Sequence, residues 1–195
     1  MNDKFTFFWR SILAGICIGL GGAIFLKLGG VLGAVMFAFG LLTVVHFKLP
    51  LYTGTAGFID LKDGDEYLKM IYILLGNILG CILLSYLMYK DYGVADKVIQ
   101  SRLDAGYLQS FCNAIGCGLI MTLIVQGGRD KNLLLILFGI PLFILLGFYH
   151  SIADAYYMMQ ANVNIRNEYL LTYWIIVLGN FVGCNLPRFF KYKNI

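Results

Sequence analysis

The chain has 195 residues, of which 59% are hydrophobic and 13% charged, and its mean hydropathy is +0.77. Soluble domains carry about 25% charged residues, so this composition excludes an ordinary water-soluble domain and predicts an integral membrane protein. The net charge of +4 is spread over short polar stretches between apolar segments, which argues against a nucleic-acid-binding protein.

Six apolar segments follow one another along the chain, and each approaches the roughly 20 residues that a membrane-spanning helix needs. A further apolar stretch at about 152–164 is too short to cross alone and is expected to continue the fifth span. Six spans use most of the chain, so we expect one all-α transmembrane domain over 1–195 and no separate soluble domain. The six segments lie at 8–27, 31–49, 68–89, 106–126, 132–149 and 169–190.

The distribution of Lys and Arg predicts the orientation of these spans. With a cytoplasmic N-terminus, nine basic residues fall in the cytoplasmic connections and five on the opposite side, and cytoplasmic connections are normally the more basic. We therefore expect a multi-pass protein of the cell membrane, inner or plasma, with both termini in the cytoplasm.

An internal repeat relates the two halves of the chain. Residues 75–81 (LGNILGC) and 178–184 (LGNFVGC) agree at five of seven positions, 103 residues apart. Three spans separate the copies, so the second copy must cross the membrane in the opposite direction. The pattern predicts two inverted three-helix repeats in an aquaporin-like architecture, with the solute path at their interface. The repeats cover about 8–90 and 105–193.

Glycines four residues apart predict close helix packing within the repeats, because small residues let helices approach in lipid. Asn77 and Asn180 belong to the same motifs, and we expect their amides to bond across helices rather than to bind solute. The five cysteines form no C-x-x-C pair and are interpreted as small buried residues. The glycine pairs are Gly15/Gly19, Gly76/Gly80 and Gly179/Gly183.

Two stretches are expected to interrupt helices at membrane depth. Pro50 removes a backbone donor and Gly54 permits non-helical dihedrals, and residues 147–154 (GFYHSIAD) place polar groups in the fifth span. Irregular backbone is tolerated there only inside protein or along a wet cavity, and a helix N-terminus at such a break suits an anion. A loop at the membrane surface is the alternative for Pro50 and Gly54.

His150 is the main candidate for function, since a titratable group within a span is a functional-site hypothesis by default. The alternative is a neutral core histidine bonded to a carbonyl or to Asp154. An offset of 104 residues pairs His150 with His46, which makes His46 a weaker candidate.

Three motifs resemble the formate/nitrite transporter family. Residues 37–40 (FAFG) are followed thirteen residues later by Thr53, within 51–55 (LYTGT). Lys97 ends the sequence ADK and precedes Asn113 by sixteen residues, and residues 147–153 (GFYHSIA) resemble the family's histidine motif. The likeness covers nearly the whole chain in order.

This resemblance implies six helices per subunit with helices two and five broken, five subunits per ring, and one pore per subunit for small monovalent anions such as formate, nitrite or hydrosulfide. It assigns His150 to the pore centre, Thr53 to the facing loop and Lys97 to attraction of the anion. The implied constrictions comprise Leu41, Leu51 and Tyr52 at one side, and Phe37 and Phe143 with Asn113 at the other.

Departures from the family pattern leave the solute open. The family often has an acidic residue at the position of Tyr149, and asparagine at those of Thr55 and Asp154. A neutral-solute pore of the water or glycerol kind is a second hypothesis. An enzyme is disfavoured because adjacent residues such as His150 and Ser151 point about 100° apart on a helix, which is the wrong geometry for a nucleophile and its base. Neither a metal site nor a cofactor is expected.

Overall fold

The computed structural model describes residues 3–88 and 92–190, with side chains described from residue 6 and, after the gap, from residue 93. The described part of the chain folds into eight α-helices and one short 3₁₀ helix. These are α1 (Asp3–Leu28), α2 (Gly30–His46), α3 (Tyr52–Thr55), α4 (Gly64–Leu87), α5 (Tyr92–Arg129), α6 (Leu133–Leu145), α7 (Ser151–Gln160), α8 (Val163–Asn185) and the 3₁₀ helix Leu186–Phe190.

Helices α1, α4, α5 and α8 are long and apolar enough to cross a membrane, whereas α2 and α6 are shorter apolar helices. Roughly half of the residues in each long span are buried within the chain. The outward faces remain apolar, as at Leu108, Phe138 and Leu87, which are 70% exposed or more. Such faces suit lipid or a neighbouring subunit, and the chain is a multi-pass membrane protein.

Close approach of paired helices organises each half, with α1 packing on α2 and α4, and α5 packing on α6 and α8. A Cβ atom placed on Gly80 would lie 2.1 Å from the carbonyl oxygen of Ile12, and one on Gly183 would lie 2.1 Å from that of Ile115. The predicted close packing at the glycine pairs is therefore confirmed. Of the cysteines, Cys112 is exposed, so the interpretation as a buried residue is wrong there.

Several helix limits differ from the sequence-based segments. The fourth apolar segment is preceded by an additional helical stretch from residue 92, separated from it by a kink at Gly106, where φ is +74°. The stretch expected to continue the fifth span is a separate helix, α7, which ends at Gln160, and α8 begins at Val163. Apolar periodicity located the spans but not these ends, which are set by local hydrogen bonds.

Both expected interruptions are present, and the helices before them end in the same way. The N–H of Leu49 donates to Val44 O and that of Lys48 to Val45 O; the N–H of Phe148 donates to Phe143 O and that of Gly147 to Ile144 O. This is the Schellman pattern, in which the residue after the cap has a positive φ. That residue is Lys48 in one half, with φ +51°, and Gly147 in the other, with φ +72°.

The helix that follows each break, α3 in the first half and α7 in the second, is the second segment of its interrupted span. A buried asparagine of the same half holds each second segment by hydrogen bonds. The side chain of Asn77 accepts a bond from Tyr52 N (2.8 Å) and donates to the carbonyls of Pro50 (3.0 Å) and Ser11 (2.7 Å). Asn180 is fully buried like Asn77, so these amides bond across helices as predicted.

Asn180 makes the corresponding three bonds. Its side chain accepts from Ser151 N (2.8 Å) and donates to the carbonyls of Tyr149 (2.8 Å) and Ala114 (2.9 Å). The expectation of open N–H groups for an anion is wrong at Tyr52 and Ser151, because an asparagine oxygen already occupies both.

These bonds also correct the pairing of the two histidines. Tyr52 corresponds to Ser151, and Pro50 to Tyr149, at an offset of 99 residues rather than 104. The counterpart of His150 is thus Leu51, since Leu51 directly precedes α3 and His150 directly precedes α7. His46 is the exposed last residue of α2, immediately before the break.

Candidate functional site

The two interrupted segments meet through one side-chain hydrogen bond. Thr53 Oγ1, on α3, lies 2.8 Å from His150 Nε2, and both side chains are almost completely buried. His150 also caps α7, because its Nδ1 accepts the N–H of Ala153 at 3.2 Å. A neutral imidazole with its proton on Nε2 satisfies both bonds, donating to the threonine hydroxyl. The alternative partners, a carbonyl or Asp154, are not the ones used.

His150 lines a cavity of about 240 Å³. Phe37 and Phe143, which also line it, meet edge to face with ring centroids 6.2 Å apart, and the ring of Phe143 lies 5.9 Å from that of His150. Aromatic rings therefore surround the imidazole on the cavity side. The site combines one titratable group with an apolar wall.

A second cavity, of about 1100 Å³, opens near the other end of α1. On α1, Phe7 lines this cavity and Phe25 lines the first. These two residues are eighteen apart, which corresponds to about 27 Å along a helix. The two cavities therefore lie on opposite sides of the bundle. Leu51 and Gly54, which flank Thr53, line the second cavity. The His150–Thr53 contact thus stands between two recesses that share no lining residue.

The larger cavity is basic. Its described lining includes no carboxylate, and Arg129 donates to Gly54 O at 3.1 Å while its guanidinium lies 3.8 Å from the centre of the Phe58 ring. The ionisable side chains in its lining are His46, Lys48, Lys69, Arg129 and Lys131.

The remaining predicted site residues are distributed differently. Leu41 is buried within α2 and Tyr52 at the start of α3, where the Tyr52 hydroxyl donates to Val177 O at 3.2 Å. Asn113 is half-buried, accepts from Gln109 at 2.9 Å, and does not line either cavity. Lys97 is exposed and lies outside both linings. The structure therefore brings His150, Thr53, Phe37 and Phe143 together, with Leu51 on the far side of the contact.

Sequence reasoning missed Arg102, which lies before the fourth predicted span (106–126) and so counts among the basic residues of a connection. Its Nε lies 2.8 Å from Asp154 Oδ2, and both residues line the cavity beside His150. The guanidinium stacks over Tyr149, 4.5 Å from the ring centre, and Tyr169 donates to the same carboxylate oxygen at 2.7 Å. Arg102 and Asp154 are 52 residues apart in the sequence, and only the tertiary structure brings them together.

The apolar spanning helices and the two interrupted segments that meet at a buried histidine define a polytopic membrane protein with a polar contact at its centre. The model of the family described as "Formate/nitrite transporter" matches residues 2–187. The chain belongs to this family of transmembrane transport proteins.

Individual relatives are distant. The chain is 23% identical to a formate-nitrite transporter of Plasmodium knowlesi (strain H), over 95% of this chain and 76% of that protein. Among solved structures it resembles a pentameric formate channel with formate bound, with a TM-score of 0.86, 20% identity and coverage of 97% and 96% of the two chains. An FNT family ion channel aligns with a TM-score of 0.75, 20% identity and coverage of 98% and 92%.

Proposed function

We propose that this chain is a channel or transporter for small monovalent weak-acid anions such as formate or nitrite. The observation that carries the proposal is the buried His150–Thr53 bond, made where two interrupted helices meet and reached from a cavity. A buried titratable group has little value in a purely structural core. Family membership and the formate-bound structural relative give the same solute class.

The proposed path runs from one cavity to the other through the contact between the segments. The two halves would be inverted repeats over about 8–90 and 105–193 of one channel domain. Their support is the repeated bonding scheme of Asn77 and Asn180, which fastens both segments alike. Basic residues face one cavity, and Lys97, exposed on α5, would draw anions towards the other by its charge.

The narrow part of this path is apolar and would reject a hydrated ion by dewetting. Moving a bare charge through a region of low dielectric costs several kcal/mol. A proton delivered from His150, or from water that it orients, would let the solute cross as a neutral acid. Phe37 and Phe143 would form the constriction on the His150 side, and Leu41, Leu51 and Tyr52 the one on the Thr53 side, with Asn113 near the former.

Assembly and orientation complete the proposal. A homopentamer with one pore per subunit would match the pentameric relative. The basic-residue bias favours a cell-membrane protein with both termini in the cytoplasm, and the larger, basic cavity would then face the cytoplasm.

A hydrosulfide channel of the same fold would use the same cavities and differ only in the solute. A neutral-solute pore is a weaker candidate, because cationic side chains line both cavities. Swelling with glycerol separates this hypothesis from anion flux.

The test is a flux panel in proteoliposomes with formate, nitrite, hydrosulfide, acetate and glycerol. We expect flux of formate or nitrite above protein-free vesicles, rising as the external pH falls, because more protons are then available to neutralise the anion. His150→Ala should weaken this pH dependence. Flux of glycerol without anions would contradict the proposed solute class, and a variant with wild-type flux at every pH would remove His150 from proton delivery.

A further inference from the structure

The cavity beside His150 contains an ion pair that the proposed path does not use. Among its described lining residues, Arg102 supplies the guanidinium and Asp154 the carboxyl group, and the two side chains pair at 2.8 Å. Asp154 is fully buried, and the side chain of Arg102 is 11% exposed. A charge at this depth is retained only with a specific partner, so the pair is a built feature of the cavity wall.

Arg102 is held in one orientation. Its Nε donates to Asp154 (2.8 Å) and its Nη1 to the carbonyl of Val98 (2.8 Å), while Tyr149 lies under the guanidinium plane. A guanidinium has five N–H donors, and these two bonds leave three of them without a partner among the described residues, on a side chain that lines the cavity. A fixed, partly occupied fork of this kind suits a small planar anion better than a mobile lysine does.

Only one of the two carboxylate oxygens of Asp154 accepts hydrogen bonds from the described residues. Its Oδ2 accepts from Arg102 and from Tyr169, whereas its Oδ1 has no hydrogen-bond partner among the described residues. The carboxylate therefore positions the guanidinium and at the same time opposes part of its field. An anion that approached Arg102 would feel attraction reduced by a charge of equal size nearby.

We propose that Arg102 is the anion-binding cation of this cavity and that Asp154 is a positioning residue that keeps its affinity low. The inference rests on the proposed anion transport and names the group that receives the anion before the aromatic constriction. Weak binding is useful here, because conduction requires a site that the ion enters readily and also leaves.

The test uses the full chain in proteoliposomes and measures formate and nitrite influx against concentration. Asp154→Asn keeps the shape and an oxygen that can accept from Tyr169 but removes the opposing charge. Its melting temperature is measured beside that of the wild type, because it leaves the Arg102 guanidinium without a counter-charge. We expect it to lower the half-saturation concentration roughly tenfold, the size of one partly screened charge interaction, and to lower maximal flux because the anion leaves more slowly.

Arg102→Gln alone leaves a buried carboxylate unpaired and risks misfolding, so the double variant Arg102→Gln/Asp154→Asn tests the cation. We expect a folded protein, judged by its melting temperature, whose half-saturation concentration exceeds that of the wild type. Asp104→Asn is the matched control, since Asp104 is an exposed carboxylate near Arg102 on the same helix and its loss should leave half-saturation unchanged.

A purely structural role for the pair would reduce the active fraction, and hence maximal flux, without moving half-saturation in opposite directions. The inference is overturned if Asp154→Asn does not lower the half-saturation concentration, or if the folded double variant keeps the wild-type value. If the wild type itself carries neither anion above protein-free vesicles, the proposed function fails instead.

Discussion

Lys48 and Gly147 occupy the same position at two helix ends but meet its backbone requirement differently. Both have positive φ, +51° and +72°, a region that costs an L-residue roughly 1–2 kcal/mol and glycine almost nothing. The first half therefore stores strain next to its interruption, while the second half does not. The lysine carbonyl accepts a bond from Arg10 at 3.0 Å, which helps to hold that conformation.

Exchanging the residue type at these positions should have opposite effects on stability. Gly147→Ala should lower it by about 1–2 kcal/mol, because of φ alone; the added Cβ would contact nothing within 4 Å. Lys48→Gly should raise the melting temperature in detergent. Thermal unfolding of both variants checks the pair, and an unaffected Gly147→Ala protein would mean that this turn is not held rigidly.

At the scale of the elements, pairs of helices in each half touch through backbone rather than through side chains. The α1–α4 contact places Gly80 against Ile12 and Gly15, and the α5–α8 contact places Gly183 against Ile115. Because these helices approach so closely, Asn77 and Asn180 reach across to both the first helix and the interrupted segment. The close packing at the glycines is thus what allows the asparagines to hold the interrupted segments.

Enlarging a glycine at this contact should separate α1 from α4. Gly80→Ala would put a Cβ 2.1 Å from a backbone oxygen that cannot move alone, and overpacking of this kind typically costs about 1–3 kcal/mol. Gly64→Ala, in the first turn of the same helix with open space around it, should be neutral. Melting temperatures in detergent compare the two, and equal values would contradict a tight α1–α4 contact.

At the scale of the whole molecule, the described surface is more apolar than one chain in water could tolerate. Large apolar side chains on α2 and α6, such as Val31, Leu32 and Leu134, are more than 60% exposed. Patches of this size on a membrane protein meet lipid or another subunit. The cavities lie among four long spans and two short apolar helices, and the residues that line both cavities belong to one chain.

We expect the protein extracted in mild detergent to have a protein mass about five times the 21.9 kDa of one chain, because the proposed pentameric ring would bury exposed apolar faces in heterologous contacts between neighbouring subunits. Light scattering that separates protein from detergent, or native mass spectrometry, provides the measurement. A monomer that still conducts anions after reconstitution would refute the pentamer and leave the path within each subunit intact.

The sequence by itself determined that this is a membrane protein, approximately where its spans lie, which glycines make close helix contacts, and where two helices are interrupted. Each of these follows from residues close together in the sequence: an apolar run of about twenty residues makes one span, small residues four apart lie on one helix face, and proline, glycine or polar residues interrupt a helix locally. The motif of residues 147–153 also directed attention to His150 without any coordinates.

Only the tertiary structure decided which groups meet. The offset between the halves shifts from 103 to 99 residues because the connections of the two halves differ in length, so Leu51 rather than His46 corresponds to His150. The Arg102–Asp154 pair joins residues on two different helices, and no local pattern encodes that distance. In the sequence Arg102 looks like a residue of a polar connection, but in the structure it forms part of the cavity wall. A charged side chain is stable inside a helix bundle only where the fold places an oppositely charged partner beside it.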